Sequence, residues 1–177
     1  TRGFVIRASL EEGAADTRTS MSPNEDETSY AVFWNETDCI SVNGIASESI
    51  SIQEDRRSAE FTFLKGFESA LYAAYPASVV SKYESGALTL LLPNVQTWSE
   101  SDQFDPAAAV MLAQAADGAS LRFRHAMAYL RVTLSEASDP EPIAAVVLSA
   151  NDGSALCGAF QATYGSDLWT LTPQESA

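Results

Sequence analysis

Positive charge is scarce in this 177-residue chain: 10 Lys and Arg stand against 24 Asp and Glu, a formal net charge of -14. A field of that sign repels phosphate backbones, which argues against nucleic acid as a partner. It equally opposes docking on anionic lipid headgroups. Histidine occurs once, as His125. Cysteine occurs twice, as Cys39 and Cys157, far apart and without CxxC spacing, so a zinc site is not expected. Both thiols sit in apolar, strand-like contexts and are expected to be small buried groups rather than a bridge. No window approaches the ~20 apolar residues that a membrane-spanning helix needs. The opening Thr1-Arg2-Gly3-Phe4 carries no charged head, apolar core or small-residue cleavage site, as expected of a cytosolic chain or of a product whose signal has been removed.

Catalytic templates are missing as well. With so many serines a triad on His125 is formally open, but no Gly-x-Ser-x-Gly elbow exposes a nucleophile, and His125 is expected to be structural, at a strand end. There is no glycine-rich phosphate loop. Carboxylates are plentiful, with Glu25, Asp26 and Glu27 in one acidic loop and Asp102 and Asp105 around Gln103-Phe104. A glycosidase requires two of them facing each other across a sugar, one in an apolar setting, so the bland interpretation is solvated charge. Asn24, Asp26 and Thr28 present oxygens at alternate positions, without the central glycine and terminal glutamate of an EF-hand loop. The expectation is therefore a chain without enzymatic activity, with no cofactor and no metal.

What is present is a run of short apolar segments, in a composition that is 46% hydrophobic and sufficient for a real core. Phe4–Leu10, Ala31–Trp34, Cys39–Val42, Ser49–Ile52, Glu60–Phe63, Ala70–Tyr75 and Ala87–Leu92 alternate or run continuously, as strands do. Leu121–Phe123, Tyr129–Leu134, Ala144–Leu148, Leu156–Ala162 and Leu168–Leu171 continue the pattern. Turn markers punctuate it at Asn43-Gly44, Ser85-Gly86, Asp117-Gly118, Asp152-Gly153 and Gly165-Ser166. Ala144–Leu148 and Leu156–Phe160, around Asn151-Asp152-Gly153, form the strongest hairpin signal. The predicted fold is one all-β sandwich domain over residues 1–177, of about seven or more strands. At most one short helix is expected, near residues 106–116, where Pro106 could open a run of alanine-rich helix formers that tertiary pairing could still draw into a strand.

Aromatic residues mostly lie inside the apolar segments and are expected in the core. Trp98 is the exception. It stands in the polar stretch Gln96-Thr97-Trp98-Ser99-Glu100-Ser101, where packing gives no reason for an indole, and with nearby Asp102 it is the candidate ligand contact.

Four ordered stretches resemble the fimbrillin-like surface proteins of Bacteroidetes, in their amino-terminal domain. They are Phe4–Leu10 with Thr17-Arg18-Thr19-Ser20; Phe33–Asp38 leading into Ile40–Gly44; Ala74-Tyr75-Pro76-Ala77; and Leu92-Pro93 through Phe104-Asp105-Pro106 to Leu121–His125 and Leu130–Leu134. The resemblance implies a transthyretin-like, Greek-key sandwich in an exported protein of the outer membrane or fimbrium. It implies a stalk, anchor or tip subunit of a type V pilus, whose partners are other subunits or host and bacterial surface ligands. Membrane attachment would come only through a lipid anchor that this chain lacks. It also implies removal of the first strand by an arginine-specific protease, which puts Arg18 forward as the processing site and Phe4, Val5, Ile6 and Leu10 as the exchangeable strand. The alternative is a glycan- or protein-binding surface lipoprotein module built on Trp98 and Asp102.

Overall fold

The computed structural model describes residues 3–11, 22–23, 30–31, 33–68, 70–97, 105–118, 120–130, 132 and 144–174. The chain is an all-β sandwich of two main sheets. In chain order its strands are β1 (Phe4–Leu10), β2 (Ser22–Pro23), β3 (Tyr30–Ala31), β4 (Ser41–Val42), β5 (Ile45–Ala46), β6 (Ser49–Ile52) and β7 (Ser58–Phe63). They continue with β8 (Leu71–Tyr75), β9 (Val80–Glu84), β10 (Ala87–Leu92), β11 (Met111–Ala115), β12 (Ser120–His125), β13 (Gly158–Gly165) and β14 (Leu168–Pro173). An 8-stranded sheet runs β5-β4-β8-β11-β12-β1-β7-β6, a 4-stranded sheet runs β14-β13-β10-β9, and β2 pairs with β3.

The alternation of side chains decides which face each strand buries. Ile6, Ala8 and Leu10 of β1, Ala59, Phe61 and Phe63 of β7, Leu121 and Phe123 of β12, and Leu71, Ala73 and Tyr75 of β8 all point into one core. The two ends of the large sheet, β5 and β6, are consecutive in the chain and separated only by Ser47 and Glu48. Two residues span less than about 10 Å, so the sheet must curl until its ends approach. The corner is fixed by Ser47 N–H donating to the Ile40 carbonyl (2.9 Å) and Glu48 N–H to the Thr62 carbonyl (2.8 Å). Trp34, fully buried, fills the centre of this curl. Its ring meets Phe61, Tyr75 and Phe123 edge-on, at centroid distances of 5.2, 5.7 and 5.7 Å.

β8 and β11 are buried on both faces. Ala74, Val110 and Leu112 turn away from the first core and pack with Leu88, Leu90, Leu92, Phe160 and Ala162 of the small sheet, forming a second core. The hairpins obey local turn chemistry. Asn43-Gly44 (φ 48° and 77°) and Ser85-Gly86 (φ 50° and 84°) close two-residue turns with positive φ at both positions, matching the strand twist.

In the alanine-rich segment over 106–116 the helix is confined to one 3₁₀ turn, Pro106–Ala108, capped by the Asp105 carboxylate, and Met111–Ala115 is a strand. Pairing of Met111–Ala115 with β8 along five registered positions outweighs the small helix preference of alanine. Three expectations are corrected. The hairpin of Ala144–Leu148 with Leu156–Phe160 does not form. β13 already has β10 on one side and β14 on the other, leaving no free ladder for an upstream strand. Phe33 and Trp34 lie outside any strand, because Trp34 serves as a plug across the curl. Tyr129, Leu130 and Val132 are not in a strand, and the other residues of Tyr129–Leu134 that the strand would need, Arg131, Thr133 and Leu134, lie outside the described residues.

Candidate functional site

Arg18, Trp98 and Asp102 lie outside the described residues. The remaining candidates, Phe4, Val5, Ile6 and Leu10, fall on β1, whose position is unusual. β1 is not an edge strand. It pairs antiparallel with β7 from Phe4↔Phe63 to Ser9↔Ser58, and parallel with β12 from Arg7↔Ser120 to Leu10↔Phe123. Both partners are distant in sequence, so no hairpin turn holds β1 in its slot. Opposite Ile6 lies Phe61; opposite Ala8 lie Ala59 and Leu121; opposite Leu10 lies Phe123. Beyond the ladder, Leu10 N–H donates to the Arg57 carbonyl (3.2 Å) and Glu11 N–H to the Phe123 carbonyl (3.1 Å). Ile6 and Leu10 are buried, whereas Val5 faces solvent. Phe4 closes one end, edge-on to Phe67 at 5.8 Å.

An open cleft of about 460 Å³ also lies on the described surface. Its floor is the outer face of the large sheet, with Leu112 and Gln114 of β11 and Arg122, Arg124 and His125 of β12. Its wall is the end of the small sheet, with Tyr164, Asp167, Leu168, Trp169 and Leu171. Arg122 and Arg124 share a single carboxylate, Glu11. Arg124 Nη2 donates to Glu11 Oε1 at 2.8 Å and its Nε also pairs with Glu11, while Arg122 Nε stands 3.9 Å away. With Glu11 beneath them and Asp167 on the facing wall, the two guanidinium groups meet two carboxylates at this corner. Trp169 lies edge-on to Tyr164 (5.4 Å) and to Tyr72 (6.3 Å).

The three carboxyls held below their ordinary range stand elsewhere, in turns and along an edge. The Ser58 backbone N–H lowers Asp55, the Ser154 backbone N–H lowers Asp152, and the Lys82 ammonium lowers Glu84. Asp55 organises the turn between β6 and β7 by accepting from the backbone N–H groups of Arg57 and Ser58, each at 2.9 Å. Neither cysteine is bridged. Cys39 is half-buried, with its thiol 3.2 Å from the Ser47 carbonyl, but Cys157 is exposed rather than buried. Among the described residues, no three His, Cys, Asp or Glu converge as metal ligands, and no helix is long and apolar enough to cross a membrane.

The outward arginines of β12 were readable from the alternation Leu121-Arg122-Phe123-Arg124. Their meeting with Tyr164 and Trp169 was not, since it depends on how the small sheet sits on the large one. Compared with protein-family models, with curated proteins and with solved structures, the chain matches none.

Proposed function

We propose that this chain is a non-catalytic structural protein of the cell surface, a pilus subunit or adhesin fragment that assembles by β-strand addition. The observation that carries this reading is β1. It occupies a central slot of the large sheet, supplies Ile6, Ala8 and Leu10 to the core, and pairs only with strands remote in sequence. Removal of such a strand exposes two rows of unpaired backbone groups, on β7 and on β12, together with an apolar trough floored by Phe61 and Phe123. An extended segment from another subunit restores both the ladders and the core. Cleavage after Arg18 would release the strand. Export and a place in the fimbrium or at the cell surface follow from that role, with other subunits or surface ligands as partners.

The test is digestion of the folded protein with an arginine-specific protease, followed by native mass spectrometry. The expected product is cut at Arg18, has lost β1 and retains its β-sheet circular dichroism. It should then rebind a synthetic peptide spanning Phe4–Leu10 in 1:1 ratio. A chain that stays intact at Arg18 while folded, or a product that ignores the peptide, overturns the proposal.

A further inference from the structure

Asn43-Gly44 is the only Asn-Gly dipeptide in the chain, and the fold makes use of both residues. They form the two-residue turn between β4 and β5, at one end of the large sheet. Gly44 is required twice over: its φ is 77°, and a Cβ there would stand 2.9 Å from Tyr83 Cβ on β9. Asn43 contributes through its side chain as well as its backbone. Its N–H donates to the Tyr72 carbonyl (2.9 Å), continuing the pairing of β4 with β8 one position past Val42↔Ala73. Its carboxamide then reaches further along β8. Oδ1 accepts from the Tyr72 N–H (2.8 Å), and Nδ2 donates to the Ala70 carbonyl (3.0 Å). The side-chain amide thus serves as one more peptide group of β4, whose own pairing with β8 covers only two registered positions.

The same dipeptide is chemically labile, asparagine being a thermally fragile residue and glycine leaving its neighbouring nitrogen uncrowded. The Gly44 nitrogen can attack the Asn43 carboxamide. A bond forms from that nitrogen to Asn43 Cγ, the Cγ–Nδ2 bond breaks, and ammonia leaves with the Gly44 amide proton. The product is a five-membered imide, which water opens at either carbonyl, to aspartate or to its β-linked isomer. The attack requires the carboxamide to swing over the Gly44 nitrogen. In the folded chain both of its polar atoms are held across the strand on β8 instead.

We infer that Asn43 is a modification site gated by the fold. It is kept from reacting while the β4–β5 hairpin lies on β8, and it converts to aspartate or isoaspartate when that hairpin lifts away. The change runs in one direction. An aspartate at position 43 still offers an acceptor to the Tyr72 N–H, but it sets an oxygen against the Ala70 carbonyl where Nδ2 had donated. Two acceptors then meet at a contact built for a donor, at a half-buried position. The isomer adds a methylene to the backbone inside a two-residue turn and spoils the register of β5 on β4. Each opening that ends in conversion therefore leaves a sheet end that closes less firmly, so the next opening is easier. This depends on neither β1 nor a partner and stands apart from the strand exchange proposed above.

Peptide-mapping mass spectrometry tests it, with the folded chain and the urea-unfolded chain aged side by side at mildly alkaline pH. Asn43 is expected to convert at least about tenfold more slowly in the folded chain, the factor that ~1.4 kcal/mol of opening free energy imposes. Equal rates in the two samples overturn the inference. Asn43→Asp reproduces one product and tests the one-way step by amide hydrogen exchange. Exchange at Tyr72 is expected to quicken by about tenfold or more, while exchange at Phe123 on β12 stays as in wild type. Should the variant not fold, the converted fraction of aged wild-type chain, separated by ion exchange, is measured in its place. Unchanged exchange at Tyr72 in the converted chain overturns the one-way step.

Discussion

Trp34 is the side chain on which the curled sheet closes, and its truncation offers the sharpest test of that architecture. The indole is fully buried, meets three aromatic rings from β7, β8 and β12 edge-on, and donates its Nε1–H to the Arg57 carbonyl at 3.1 Å. Trp34→Ala removes the whole ring and leaves a cavity between strands whose own ladders resist collapse, so a cost of about 3–5 kcal/mol is expected. Trp34→Phe keeps an aromatic body and removes one of two donors to the Arg57 carbonyl, which still accepts from Leu10 N–H, at about 0.5–1.5 kcal/mol for the lost hydrogen bond. Against a total stability of about 5–15 kcal/mol for a domain, the alanine variant is expected to sit near the edge of folding. Urea unfolding followed by far-ultraviolet circular dichroism gives both values without depending on the fluorescence that the substitution removes. An alanine variant within about 1 kcal/mol of wild type would refute the placement of Trp34 at the centre of the core. Equal costs for alanine and phenylalanine would refute the claim that ring packing, rather than the single hydrogen bond, dominates.

Two further outcomes follow from backbone and charge. Gly86 and Gly153 both have positive φ (84° and 77°), but a Cβ on Gly86 meets Tyr72 Cζ at 3.1 Å, whereas one on Gly153 meets nothing within 4 Å. Gly153→Ala is therefore expected to cost about 1–2 kcal/mol of backbone strain alone, and Gly86→Ala more; equal losses on thermal unfolding would refute the contact. Asp55 has a folded pKa below its ordinary 3.8, chiefly through the Ser58 backbone N–H, so its contribution is present above that value and is lost as pH falls through the lower folded one. The gap in urea midpoint between wild type and Asp55→Asn should close as pH drops below 3.8. Use of the difference separates this turn from the general relief of repulsion on acidification, and a gap that stays constant would refute the assignment.

Much of the fold was legible because period-two alternation marks half-buried strands directly. Phe4–Leu10, Glu60–Phe63 and Leu121–Phe123 place Ile6, Phe61 and Phe123 in strands with no knowledge of their partners, and the strands found are Phe4–Leu10, Ser58–Phe63 and Ser120–His125. The failures share one physical origin, which is that pairing is not local. Met111–Ala115 has the composition of a helix and becomes a strand because β8 is beside it. Ala144–Leu148 has the composition of a hairpin arm and joins no strand among the described residues, β13 being occupied on both sides. The cleft was invisible for the same reason: Arg122, Arg124, Tyr164 and Trp169 meet only through the packing of one sheet on another. Candidates chosen for standing in polar surroundings, Trp98 and Asp102, rested on context in the chain alone, which carries no information about neighbours in space.

The slot of β1 also has a consequence for the order of events when the chain folds. Its partners are β7 and β12, and the contact from Glu11 to Arg124 spans 113 residues. Long-range pairings must overcome loop-closure entropy before any contact compensates for it, so chains dominated by them fold slowly. During synthesis β1 emerges well before either wall of its slot exists: β7 comes first, and the β12 wall is missing until residues beyond 120 have been made. Closure of its slot on the β12 side therefore waits for the second half of the chain. The strand that the proposed exchange would remove is thus one whose full pairing comes late.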